Sequence, residues 1–104
     1  MTRKEKLLKI IDTYGINHQL KKLNEETFEV TEAILEYENR DLNEMDNVIL
    51  SNIVEEIADV LVMLEQFKLY YNIKNEDIEK IMDYKIDRQI KRIEMGEERK
   101  WVKK

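Results

Sequence analysis

The chain has 104 residues, 39% of them charged, with no cysteine and a formal net charge of −5. Its length fits one compact domain with a modest core. The lack of cysteine excludes disulfides and thiolate metal sites, and the negative charge argues against a protein that coats nucleic acid.

The N-terminal segment carries basic residues but no continuous apolar stretch or small-residue cleavage site, so it does not predict a signal peptide. No segment has the length and apolarity of a membrane span. We therefore expect a cytoplasmic protein without a membrane partner.

The chain contains 2 glycines and no proline, and no segment alternates with the period of a strand. These features predict an all-α fold of four helices, resembling a four-helix bundle. The predicted helices cover residues 2–14, 17–38, a segment that starts between 43 and 51 and ends near 71, and 75–94. Residues 1–96 are expected to form one domain, followed by a short charged tail, residues 97–104.

Several residues are expected to mark the helix ends. Gly15 and Gly96 are typical C-terminal stops. The candidate N-caps are Asn43, Asp46, Ser51 and Asn75.

The third predicted helix is apolar nearly all round. One face carries Ile53, Ile57, Val60, Leu61, Leu64 and Phe67, and much of the opposite face carries Ala58, Val62 and Leu69. Such a helix is usually buried on both sides. We expect it to be the central helix, packed on its own domain and on a partner subunit.

Two pairs of acidic residues with the spacing acid-x-x-acid are the candidates for chemistry. Glu26 and Glu29 lie on the second helix, and Glu56 and Asp59 lie on the third. Residues three apart share a helical face, so two such pairs on adjacent antiparallel helices can converge on a divalent cation with oxygen ligands.

The position of these acids around their helices distinguishes them from other acids with the same spacing. At 100° per residue, Glu56 falls among core residues between Met63 and Phe67, and Asp59 falls at the margin of that face. Glu26 falls at the edge of the apolar face of helix two, which we assign to Leu20, Leu23, Val30, Ile34 and Tyr37. A carboxylate at such a position needs a basic partner or a metal ion, and the sequence alone leaves both open. The pair Glu76 and Glu79 has the same spacing and is expected to be a chance occurrence.

The fourth helix carries a basic stripe. Lys85, Arg88 and Arg92 recur at i, i+3 and i+7 beside an apolar face. Cations near metal-bound carboxylates suit a polyphosphate ligand, but the same residues also suit ion pairs with the acidic helices.

The two acidic pairs, in this order and within a short helical chain, resemble the MazG-like nucleotide pyrophosphohydrolases. That family has ExxE on one helix and ExxD on the next, matched here by Glu26 with Glu29 and by Glu56 with Asp59. The hydrophobic run after the second pair is also similar. The resemblance covers about residues 14–93.

The resemblance implies a MazG fold and Mg²⁺-dependent hydrolysis of nucleoside triphosphates to the monophosphate and pyrophosphate, in nucleotide-pool housekeeping. The four acids would hold Mg²⁺, with Mn²⁺ as a substitute, and would serve catalysis. From their own positions in the sequence, Lys85, Arg88 and Arg92 are our candidates to bind the phosphates, and Gln19, about two turns before the first acidic pair, is our candidate to contact a sugar or base. The family also implies a homo-oligomer, either a dimer or a dimer of dimers.

Three alternatives stay open at this point. One is a narrower pyrophosphatase for dUTP or dCTP. The second is a relative of the phosphoribosyl-ATP pyrophosphohydrolase. The third, from another class, is a non-catalytic helical interaction module whose acidic residues are merely solvated.

Overall fold

The computed structural model describes residues 1–41 and 46–96. These residues contain no strand and four α-helices: α1 (Arg3–Tyr14), α2 (Ile16–Glu38), α3 (Asp46–Tyr70) and α4 (Asn75–Glu94). The prediction of an all-α chain with four helices is therefore confirmed. The chain divides into two compact units, Met1–Asn72 with α1 to α3 and Ile73–Lys104 with α4. The one-domain organisation of residues 1–96 stays a prediction, and the predicted tail, residues 97–104, lies outside the described residues.

The helix ends agree with local chemistry at most positions. Thr2 caps α1 in a capping box, in which its hydroxyl accepts from the Glu5 N–H and the Glu5 carboxylate accepts from the Thr2 N–H. Gly15 alone connects α1 to α2, with φ of 86°, which is a conformation that glycine tolerates best. Its N–H donates to the carbonyl of Ile11 at 2.8 Å and so ends α1 as predicted.

Two of the candidate N-caps are wrong. Asn75 is already the first helical residue of α4, and Lys74, with extended backbone, occupies the cap position without a side-chain hydrogen bond. Ser51 lies inside α3, which the structure describes from Asp46 onward. Asn43, another candidate N-cap of α3, lies outside the described residues. Asp46 is the first residue of α3 that the structure describes.

The first unit is built on an antiparallel pair of helices, α2 and α3. Gln19 contacts Gln66 and Glu29 contacts Glu56, so residue numbers rise along α2 as they fall along α3. The buried residues of α2 are Gln19, Glu26 and Ala33, and they recur every seven residues. Met63 and Ile49 are the matching buried apolar residues of α3. We call this contact between the helices the seam. The helix α1 packs against α2 and α3 and buries Leu7 and Ile11.

The seam differs from the apolar face predicted for helix two. Leu20 and Ile34 are 50% and 42% exposed, whereas Glu26 is buried. Those two residues lie about 80–120° around the helix from Glu26, the centre of the buried stripe. Hydrophobicity therefore identified an apolar face wider than the part that packs in the chain.

The two sides of α3 also have different environments. Ile53, Val60 and Phe67 are half-buried beside the seam. A second stripe, which we call the α3 outer stripe, is exposed and comprises Leu50, Val54, Ile57, Leu61 and Leu64. Its members recur at intervals of three and four residues, which is the spacing of one continuous helical face. Among the described residues, α3 is therefore buried along the seam, and the burial of its other side against a partner subunit stays a prediction.

The second unit has no buried residue on α4. Its large apolar side chains, among them Ile86 and Ile90, are about half exposed. No helix within residues 1–41 and 46–96 combines the length and apolarity that a bilayer crossing requires.

Candidate functional site

Glu26 lies in the middle of the seam. It occupies the position between Gln19 and Ala33 in the seven-residue repeat of buried α2 residues, and it is only 5% exposed. Leu23 and Val30, which flank it along the same face, are half-buried. The helical repeat that forms the packing surface of α2 therefore also places one carboxylate inside that surface.

Four acidic side chains from the two helices come together around Glu26. Glu26, Glu29 and Glu56 each offer a carboxylate oxygen, and these three oxygens lie within 4.8 Å of one another. Asp59 is not one of that trio, but it lies near enough to Glu26 that, after desolvation, the negative charge of Glu26 is the largest cause of the raised pKa of its carboxyl group. The four residues predicted from the two acidic pairs are therefore neighbours, and we call them the carboxylate cluster.

The burial of the cluster is graded. Glu26 is buried, Glu56 is half-buried, and Glu29 and Asp59 are exposed. The cluster thus opens from the helix seam towards solvent, with Glu26 at its closed end.

One basic side chain pairs with the cluster within the first unit. The Nζ of Lys22 lies 3.1 Å from the Oε1 of Glu26, one helical turn away. The second oxygens of Glu26 and of Glu56 are buried and have no hydrogen-bond partner among the described residues. A buried carboxylate oxygen without a donor is costly, so these two atoms are candidates to bind a ligand.

The proton equilibria of the cluster reflect the same shortage of positive charge. Burial raises the pKa of Glu56, and hydrogen bonding to Glu29 and the negative charges of Glu29, Asp59 and Glu26 raise it further. Partial desolvation of its carboxyl group also raises the pKa of Asp59, together with the charges of Glu26 and Glu55, while Lys22 acts in the opposite direction. Both shifts mean that desolvation and mutual repulsion disfavour the fully ionised cluster.

The donor set fits a hard divalent ion. All four side chains supply oxygen, and Mg²⁺ and Mn²⁺ prefer oxygen ligands of this kind. The unpartnered oxygens of Glu26 and Glu56 belong to two different helices, so one ion between them would satisfy both.

Gln19 is a buried residue of the seam whose side-chain amide is hydrogen-bonded within the protein. Its Nε2 donates to the Oε1 of Gln66 at 2.8 Å, while its Oε1 lies 2.7 Å from the Nδ1 of His18. Its side-chain amide is therefore engaged inside the seam. Contact between Gln19 and a substrate stays a prediction.

Sequence reasoning missed Gln66 and Lys22. Gln66 is 1% exposed and is the polar partner of Gln19 across the seam. Its place one turn after Met63, on the face that also carries Asp59, was a usable signal. Lys22 precedes Glu26 by four residues, a spacing at which opposite charges pair on a helix.

The basic residues of α4 belong to the second unit. Lys85 and Arg88 are exposed, and Arg92 is half-buried. They share one side of the helix, as their spacing requires, and phosphate binding by them stays a prediction.

Comparison of the chain with protein-family models, with curated proteins and with solved structures finds no match. The geometry of the carboxylate cluster and the resemblance of its two motifs are therefore the basis for a functional proposal.

Proposed function

We propose that this chain is a Mg²⁺-dependent nucleoside triphosphate pyrophosphohydrolase with a MazG-like fold, acting in nucleotide-pool housekeeping. The observation that carries the proposal is a buried glutamate, Glu26, which lies at the centre of four carboxylates and whose Oε2 has no hydrogen-bond partner within residues 1–41 and 46–96. Lys22 pairs with only one oxygen of Glu26. A buried carboxylate oxygen left without a donor costs about 1–3 kcal/mol or more, so an acidic residue that served only solubility would not be placed in this seam.

The cluster residues Glu26, Glu29, Glu56 and Asp59 would hold the ion. When bound, Mg²⁺ supplies Lewis-acid polarisation of phosphate oxygens and makes a water molecule more acidic. Mn²⁺ has similar ligand preferences and would substitute for it.

The remaining roles, which are proton transfer and substrate binding, would fall to side chains of the protein. Glu29 is exposed and adjoins Glu56, so it is better suited than the buried Glu26 to take the proton of the attacking water and pass it to solvent. The water oxygen would form a bond to the α-phosphorus as the bond to the bridging oxygen breaks, and pyrophosphate would leave. Lys85, Arg88 and Arg92 are our candidates to bind the departing phosphates, and Gln19 to orient the nucleoside.

The proposed enzyme is a homo-oligomer in which α3 contributes to the subunit interface. The α3 outer stripe leaves five large apolar side chains at least 40% exposed on one helical face. The 20-residue helix α4 has no buried residue, whereas most of the stability of helices in proteins comes from packing of an amphipathic face. Monomers rarely expose continuous apolar surfaces of this kind, so a second copy of the chain is the expected cover.

Placing a charge on the outer stripe tests the assembly. Leu61→Glu is expected to convert the oligomer to a monomer, because a carboxylate cannot be buried there without a partner. Leu61→Met keeps the apolar surface and should assemble like the wild type. The molar mass in solution, measured by light scattering after gel filtration, decides between them. A wild-type protein that is already monomeric at micromolar concentration would contradict the assembly.

The activity itself is tested by a pyrophosphate-release screen over ordinary and modified nucleoside triphosphates, with Mg²⁺, with Mn²⁺ or with chelator. We expect equimolar monophosphate and pyrophosphate with either ion and none with chelator. Hydrolysis confined to dUTP or dCTP, or to phosphoribosyl-ATP, would identify a narrower relative.

The exposed apolar surfaces also favour a second function, a helical interaction module without catalysis. The effect of Mg²⁺ on thermal unfolding separates the two. A free ion concentration of 100 times the Kd raises the free energy of unfolding by about 2.7 kcal/mol. An unchanged melting temperature at millimolar Mg²⁺, together with no hydrolysis in the screen, would favour the interaction module.

A further inference from the structure

We propose that Lys22 is a positioning residue that holds Glu26 before the metal ion binds and then transfers its charge to a phosphate of the bound substrate. This inference rests on the proposed function, since it assigns a role to a side chain at the same site.

The geometry of the pair separates the two oxygens of Glu26. The Nζ of Lys22 contacts Oε1 at 3.1 Å, while Oε2 is buried and accepts no hydrogen bond from the part of the chain that the structure describes. The side chain of Lys22 is 48% exposed and that of Glu26 is 7% exposed. Lys22 therefore approaches from the solvent side and fixes the carboxylate while leaving its buried oxygen free for a ligand.

The charge balance shows why Lys22 would move. One ammonium group cannot neutralise four carboxylates, and a divalent ion in the cluster brings twice its charge to the same oxygens. The ion also repels the ammonium group at short range. Because an i,i+4 pair with one solvent-exposed partner is weak, the ion would displace Lys22 from Glu26.

The displaced ammonium group stays next to the site. Lysine carries its charge on a flexible four-carbon chain, and half of the Lys22 side chain already lies in solvent. A triphosphate that binds through the ion brings several anionic oxygens to the open side of the cluster. Lys22 can then make a charge-assisted hydrogen bond to one of them in place of Glu26. Metal binding and phosphate binding are thereby coupled through one side chain.

The two affinities that this coupling predicts change in opposite directions. Lys22→Met removes the competitor of the ion, so we expect Mn²⁺ alone to bind about three times more tightly or better. The same variant lacks the phosphate contact, so inorganic triphosphate at saturating Mg²⁺ should bind about ten times more weakly, which corresponds to 1.4 kcal/mol. Lys22→Arg retains the charge, so we expect neither the gain in Mn²⁺ affinity nor the loss in triphosphate affinity.

Lys21→Met is the matched control. Lys21 is the exposed neighbour of Lys22 in the sequence, and it lies about 100° further around α2. We expect this variant to bind both probes like the wild type. Mn²⁺ binding is measured by electron paramagnetic resonance, triphosphate binding by calorimetry, and folding by circular dichroism.

The outcomes distinguish this inference from the proposed function. If the wild type binds Mn²⁺ and Lys22→Met binds it with the same or lower affinity, the role of Lys22 is overturned and the metal site stands. A purely structural salt bridge would lower the melting temperature of the variant without shifting the two affinities in opposite directions. If the wild type binds no Mn²⁺, the metal site and the role of Lys22 both fall.

Discussion

The α2–α3 seam and α4 contain the same acid-x-x-acid spacing in two different environments. In the seam, Glu26 is buried and Glu56 is half-buried, and their carboxylates meet that of Glu29. On α4, Glu76 and Glu79 are both exposed. The spacing is therefore a statement about helix geometry only, and the packing around it decides whether the carboxylates share one site.

The largest difference between the two regions is expected when one acid in each is neutralised. Glu56→Gln should lower pyrophosphate release about a hundredfold or more, because it removes a ligand and even outer partners of metal ligands matter 10–100-fold. In chelator, the same variant should melt no lower than the wild type, since the amide relieves repulsion from Glu29 and Glu26. Asp59→Asn is expected to behave similarly.

Glu79→Gln on α4 is the matched control for that experiment. We expect its turnover and melting temperature to equal those of the wild type, because surface substitutions usually change the free energy of unfolding by less than about 0.5 kcal/mol. Equal hydrolysis by Glu56→Gln and Glu79→Gln would remove the distinction between the seam and α4.

Replacing one glutamine in the seam and one on α4 compares how much each region contributes to the free energy of unfolding. Gln66→Met keeps the length of a buried side chain but leaves the Gln19 amide without its acceptor, which should lower the free energy of unfolding by about 1–3 kcal/mol. Gln89→Met, at an exposed position of α4, should leave it nearly unchanged. Urea denaturation measures both.

The double variant Gln19→Met with Gln66→Met provides the second arm of this test. Replacing both partners by apolar side chains removes the unpaired amide, so part of the lost stability should return. A double variant that is less stable than the sum of the single changes would contradict this account of the seam.

The smallest expected effect concerns a carboxylate that already has its partners. The Thr2 backbone N–H and the Thr2 hydroxyl hold the pKa of Glu5 below its usual value. A lowered pKa in the folded state stabilises the protein above the ordinary pKa of Glu, and this contribution is lost as the pH falls through the lower value. Glu5→Gln should therefore show a slightly flatter decline of melting temperature below about pH 4.5.

The pKa values of Glu5 and Glu56 are shifted in opposite directions. The neighbours of Glu5 stabilise its charged form, whereas burial and nearby carboxylates oppose the charged form of Glu56. An identical pH profile for Glu5→Gln and the wild type would show that the α1 capping box is not maintained in solution.

The helices and their ends were largely predictable from the sequence. Apolar periodicity, the absence of proline and the position of Gly15 are local features, and local features set where a helix forms and stops. Asn75 was misplaced by one residue, because a good capping side chain does not by itself decide which residue leaves the extended conformation.

The convergence of the four acids required the tertiary structure. Helical spacing placed Glu26 with Glu29 and Glu56 with Asp59 on shared faces, but only the antiparallel register of α2 and α3 brings the two pairs within 4.8 Å through Glu26, Glu29 and Glu56. Register depends on how side chains of two helices interlock, and one sequence pattern admits several registers.

By itself, the sequence determined four helices, an acidic surface and two carboxylate pairs at helical spacing, because these follow from short-range geometry and composition. Only the tertiary structure decided that Glu26 is buried while Leu20 is exposed, and that Gln19 meets Gln66 across the seam. The physical reason is that burial depends on which surfaces pack together, and the apolar face of α2 is wider than the helix surface that packs against it.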